Sequence, residues 1–176
     1  SQFIEVIEWT EQDPDVLVYR FPVRGQEIKN GASLTVREGQ AAVFVNEGRF
    51  ADVFAPGRHA LSTANTPVLT KLGAWARGFN SPFKAEVYFV TTRQFTDQKW
   101  GTTNPVLVRD PEFGAVRLRA FGTYSFKVED PAAFCREAVG TDGLFTTDQL
   151  SGQLKSALAS GFGDLAAESK VPLLDL

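Results

Sequence analysis

The chain has 176 residues, 43% of them hydrophobic, with 18 basic against 21 acidic side chains and a formal net charge of -3. That length fits one ordinary domain with a helical appendage, and the near-balanced charge excludes the basic footprint of a nucleic-acid binder. No run approaches the ~20 apolar residues of a membrane-spanning helix. Glu5 and Glu8 interrupt the apolar start, so no signal peptide is visible. The single Cys135 rules out an internal disulfide and points to a reducing, cytoplasmic compartment. With no Met at all, the chain reads as a fragment whose N-terminal and C-terminal segments are cut.

Residues 4–9 read as a strand, though Ile4, Val6, Ile7 and Trp9 fit no single period. Residues 16–23 are rich in Val, Tyr and Phe and read as a second strand, placed at an edge by Pro22. Asn30-Gly31 predicts a hairpin leading into a strand at 33–37. Residues 36–61 then read as two buried strands joined at Glu47-Gly48, followed by a sharp Pro56-Gly57 turn. Ala41 to Val45 is apolar on both faces, as in a strand covered on both sides.

Thr66 as cap and Pro67 at the first position predict a helix carrying Leu69, Leu72 and Trp75 on one face and ending at Gly78. Strands are expected at 84–92 and 105–109, with a turn at 110–114. The cleanest pattern follows. Val116, Leu118, Ala120, Tyr124, Phe126 and Val128 alternate with Arg117, Arg119, Thr123, Ser125 and Lys127, giving one core face and one wet face. Gly122 marks a bulge or a close backbone approach. Asp130-Pro131 caps a short helix that buries Phe134 and Val139. Thr146 and Gln149 form a capping box for a longer helix striped by Leu150, Leu154, Leu158, Phe162 and Leu165, which Gly161 and Gly163 break or kink. Strands first and helices last read as α+β.

The reactive inventory is short. His59 is the single histidine, so any triad or general base has to use it. After a Pro-Gly turn it reads as a structural hydrogen-bonder. Cys135 reads as a small core residue whose thiol the nearby Glu129 and Asp130 would raise. One His and one Cys cannot build a structural zinc site, and Asp13-Pro14-Asp15 reads as a solvated turn. The G-x-G-x-x-A match at 161–166 sits in a helical pattern and not after a strand, so it is a false phosphate loop. Arg117, Arg119 and Lys127 form a basic row with Phe121 among them. It reads either as cross-strand pairs with acids or as a docking face for anionic lipid or an acidic partner. Phe3, Ile4, Ile7 and Trp9 are candidate membrane-surface contacts, opposed by Glu5 and Glu8.

The order Glu-Gly-Gln, apolar strand, Gly, apolar strand, Pro-Gly-x-His resembles the start of the SPFH or band-seven domain shared by stomatins, prohibitins and flotillins. Glu38, Gly39, Val43, Gly48, Pro56, Gly57 and His59 stand at its landmarks. Residues 116–134 resemble its later strand and Asp-Pro helix start. IEWTE at 7–11, TANTP at 63–67, SPF at 81–83, EVYFV at 86–90 and WGT at 100–102 are similar to a bacterial "virion core protein-like" subgroup.

The resemblance implies a curved, mainly antiparallel sheet with packed helices over 1–140 and a truncated helical extension at 141–176. It also implies a non-enzymatic scaffold, without cofactor, metal or catalytic residue, that forms homo-oligomers through the helical region. Such a scaffold sits peripherally at the cytoplasmic face of a membrane, against the surface or a membrane protein. Its structural turn residues are Gly48, Pro56, Gly57 and His59, and its interface candidates are Phe3, Trp9, Arg117, Arg119, Phe121 and Lys127. The alternatives are a soluble peptide-binding or protein-binding module, favoured by open sheet-edge backbone and an exposed Phe121, and an enzyme using His59, Cys135 or a carboxylate pair.

Overall fold

In the computed structural model, residues 2–73, 81–102, 104–138 and 144–168 are described. The fold is α+β and sheet-rich, with two compact units: residues 1–93 with 127–147, and 94–126 with 148–176.

The first unit is built on a five-stranded antiparallel sheet. Its order is β12 (Leu144–Thr146), β2 (Val16–Arg20), β7 (Glu86–Thr91), β4 (Gln40–Asn46), β5 (Arg49–Phe54). All seven residues of β4 are buried, as its unbroken apolar run requires. Ala42 and Phe44 join the main core with Phe83, Phe89, Ile7, Ile28 and Leu34. On that sheet packs α2 (Pro131–Ala138), against β4, β5 and β7. A second sheet has the order β1 (Ile4–Ile7), β3 (Ile28–Val36), β6 (Gly57–Ala60), with β1 parallel to β3.

Several local expectations hold. Glu47 and Gly48 take φ 49° and 78° between the paired Asn46 and Arg49, a two-residue turn of the type that matches strand twist. Asp15 N donates to Asp13 Oδ1 in an exposed turn. Asp130 Oδ1 accepts from Ala133 N at the start of α2. Others are corrected. β5 is half exposed and not buried, because only Asp52 and Phe54 turn inward. β2 is interior to its sheet: Pro22 lies past its end, after Phe21 N has donated to Val87 O, and removes no ladder bond. Asn30-Gly31 makes no hairpin. It lies inside β3, where the register against β1 jumps from Ile28 to Ser33, and Gly31 (φ 84°) takes up the bulge. In α2 it is Cys135 that is fully buried, while Phe134 is half-buried; Val139 lies outside the described residues.

Helix α1 (Pro67–Lys71) starts at Pro67 as expected, but Thr66 makes no side-chain cap. Its hydroxyl donates instead to Ser62 O. The orphan amides are satisfied from far along the chain: the buried Asp52 carboxylate accepts from Val68 N at 3.1 Å and Leu69 N at 2.9 Å. The expected continuation to Trp75 and Gly78 lies outside the described residues.

The second unit holds two antiparallel ribbons, β8 (Phe95–Gly101) with β11 (Phe121–Phe126) and β9 (Val106–Asp110) with β10 (Gly114–Leu118). Asp110 Oδ1 fixes the turn between β9 and β10 by accepting from Glu112 N and Phe113 N. The single strand expected at 116–128 is therefore two strands, parted at Arg119-Ala120, where Ala120 bonds to Thr102 instead of a ladder partner. Gly122 marks a close approach, as one reading had it: a Cβ there would lie 2.9 Å from Trp100 Nε1. Helix α3 (Thr147–Glu168) runs without interruption through Gly161 and Gly163, so the G-x-G-x-x-A match opens no phosphate loop. Of the capping box, Thr146 ends β12, and the Gln149 side chain lies outside the described residues, as does that of Leu165.

Candidate functional site

The turn residues fall at the two ends of β5, Gly48 before it and Pro56, Gly57 and His59 after it. His59 on β6 points its Nε2 at Ala55 O, 2.9 Å away, so Nε2 carries a proton and donates. Its ring packs against Phe54, centroids 5.0 Å apart. The ring lies over Gly57, where a Cβ would sit 3.5 Å from Nε2 on a backbone at φ 144°. Pro56, Gly57 and His59 thus close one turn, and Gly48 closes the neighbouring hairpin of β4 and β5.

Cys135 is fully buried on α2, and burial pushes its thiol up to about 12, against a small opposing pull from Arg136. The cause is desolvation and not the upstream acids named from sequence. A thiol held neutral in this way is no nucleophile at ordinary pH. Arg136 itself lies over the Phe50 ring at 5.1 Å. Burial also raises the Tyr88 phenol to about 12, helped by the hydrogen bond it donates to Glu86 at 2.8 Å and opposed by Arg20.

Among the described residues, two clefts open to solvent stand out. One, of about 340 Å³, is lined by Val23, Gln26, Asn46, Glu47, Lys84 and Glu86 in the first unit. The other, of about 410 Å³, is lined in the second unit by Thr102, Asn104, Lys155, Ser156 and Ser160. Neither includes His59 or Cys135. Among the described residues, no three of His, Cys, Asp and Glu stand close enough to hold a metal ion, and no helix is long and apolar enough to cross a membrane.

The interface candidates separate sharply. Trp9 is only 7% exposed, stacked on Tyr19 at 5.3 Å and near Phe89 at 6.2 Å, so this expected surface residue belongs to the core. Its partners lie on β2 and β7, too remote in sequence for a local pattern to reveal them. Phe3 is 43% exposed, beside a half-turned β1 whose Glu5 pairs with Lys29 at 3.1 Å.

The basic row keeps its alternation without a break. Arg117, Arg119, Phe121, Thr123, Ser125 and Lys127 are all exposed, and the even-numbered residues between them are half-buried. The acidic cross-strand partners expected from sequence are absent: Arg117 stands opposite Leu107, and Thr123 opposite Lys99. Among the described residues none of these cations forms an ion pair. Phe121 is 89% exposed, because its cross-strand neighbour Gly101 offers no side chain to lie on. Sequence reasoning missed Leu107, Arg109 and Lys99 on the same face. Leu107 and Arg109 alternate with the inward Val106, Val108 and Asp110, a signal present in the sequence.

Comparison with known proteins places the chain. Residues 18–176 match the SPFH domain-Band 7 family, and the chain belongs to that family. It is 34% identical over 160 residues to the "Uncharacterized protein YdjI" of Bacillus subtilis (strain 168), an alignment covering 90% of this chain and 49% of that protein. The chain thus spans about half the length of this curated relative. No solved structure is significantly similar. Domains of this family are generally non-catalytic scaffolds, and a scaffold-type role is the functional class that membership supports.

Proposed function

We propose that this SPFH domain is a non-enzymatic scaffold that self-associates through the helix α3 (Thr147–Glu168) of its C-terminal region and works as a peripheral component at the cytoplasmic face of a membrane. Family membership supports the scaffold class. The observation that carries self-association is the stripe on α3. Over a 22-residue helix, Leu150, Leu154 and Phe162 are only half-buried and Leu158 is 37% exposed. A helix of this length with a partly covered apolar stripe gains by laying it on the same stripe of another copy.

Light scattering of the eluting protein tests this. The chain is expected to run as an oligomer at tens of micromolar, and Leu158→Glu to lower its mass toward a monomer. A monomeric parent, or a variant of unchanged mass, contradicts the assignment. Flotation with vesicles tests the membrane part separately: binding by neither this chain nor a longer protein containing it removes that part and leaves the scaffold.

A further inference from the structure

The outer face of the β9–β10 and β8–β11 ribbons is unlike the rest of the surface. Phe121 is 89% exposed and Leu107 67% exposed, on a face that also carries Arg109, Arg117, Arg119 and Lys99. Leu107, Arg109 and Arg117 lie on one face of the β9–β10 ribbon and Phe121 and Lys99 on one face of the β8–β11 ribbon, with Arg119 in the link between β10 and β11, and side chains along one face of a strand repeat about every 7 Å. Among the described residues the four cations have no ion-pair partner, and β8 and β9 each pair with one strand only, leaving a second edge open. Exposed cations with no internal partner contribute little to stability. A protruding Phe among them costs solubility and is the usual anchor of a recognition surface.

We propose that this strip binds an acidic protein segment in extended conformation, with carboxylates at alternate positions and an apolar residue seated against Phe121 and Leu107. Charge complementarity selects the acid, because the surface presents four cations against one exposed acid on the same strands, Asp97. The alternating geometry selects the extended conformation: side chains of an added strand repeat at the same ~7 Å period and meet the cations in register. The open edge of β9 or β8 supplies main-chain hydrogen bonds. The proposal goes beyond self-association and uses no residue of the α3 stripe.

The test is fluorescence polarisation of the whole chain with a labelled ten-residue peptide of alternating Glu and Val. A peptide of alternating Lys and Val and a block peptide, all Glu followed by all Val, serve as comparisons. The alternating Glu peptide is expected to bind best, and to weaken several-fold as salt rises from ~0.05 to ~0.3 M. Arg117→Glu with Arg119→Glu is expected to weaken it roughly tenfold or more, and Phe121→Ser alone about as much. Both sites are exposed, so melting and oligomer mass should not change, and Lys99→Glu gives a second check on the opposite strand. Equal binding of the Lys peptide, or undiminished binding by these variants, overturns the proposal. So does absence of peptide binding with tight, Arg117-dependent binding to phosphatidylcholine vesicles containing about 30% phosphatidylserine, which would make the strip a lipid surface. Failure of self-association leaves all these readings unaffected.

Discussion

In the first unit, β4 lies between β7 and β5 with every residue buried, and the polar groups it carries inward are paired. Gln40 donates to Trp9 O at 3.1 Å, and Asn46 to Lys84 O at 2.9 Å. In the second unit, β10 and β11 have one partner strand each, half-cover one face and leave on the other a row of cations around Phe121. The first pattern is what a fold needs to persist, since buried polar atoms without partners are costly. The second adds little to persistence and is the face proposed above for contact. On that proposal, the difference separates framework from recognition inside one small chain.

The largest expected effect breaks the framework. Phe44→Ala removes a fully buried ring packed on Phe54 and Phe83, and should cost about 3–5 kcal/mol in chemical denaturation. Asp52→Ala comes next, at about 2 kcal/mol, because Val68 N and Leu69 N lose a charged acceptor in a buried place. His59→Ala should cost about 1 kcal/mol through the lost bond to Ala55 O, read as a lower melting temperature with no loss of peptide binding. Unchanged melting would remove the structural role given to His59.

A pH series sharpens the same side. The Cys135 thiol is raised from 9.0 to about 12 in the fold, so its contribution is complete below pH 9.0 and declines as pH rises toward about 12, where the unfolded thiol ionises first. Tyr88, raised from 10.0 to about 12, acts in the same direction. Denaturation midpoints at about pH 8 and about pH 10.5 should therefore fall further apart in the parent than in Cys135→Ala. The smallest stability effect belongs to the recognition side: Phe121→Ser should stay within about 0.5 kcal/mol of the parent.

What the sequence disclosed follows the same division. The unbroken run of β4, the alternation through 116–128, the Glu47-Gly48 turn and the Asp130 cap are local signals, and each stands where the spacing put it. Pairings across the chain were hidden. Nothing near residue 4 announces a parallel partner at Ile28, and nothing near Thr66 shows that Asp52 will cap its helix. Asn30-Gly31 misled because a positive φ at Gly31 serves a bulge as well as a hairpin. β8 was not assigned, because its polar Thr96, Asp97, Gln98 and Lys99 show no apolar alternation, and Asp97 breaks its register at φ 55°. Arg117, Arg119 and Phe121 were legible as an outward row, but Lys99 joins it only through the ladder to β11.

The most direct measurement sets the two regions against each other: polarisation of the alternating Glu-Val peptide, alongside melting, for Arg117→Glu/Arg119→Glu/Phe121→Ser and for His59→Ala. The expected result is a double dissociation. The surface variant melts like the parent and loses the peptide, whereas the His59 variant melts lower and, while folded, binds as the parent does. A surface variant that keeps the peptide, or one that loses stability and binding together, contradicts the separation of framework from recognition.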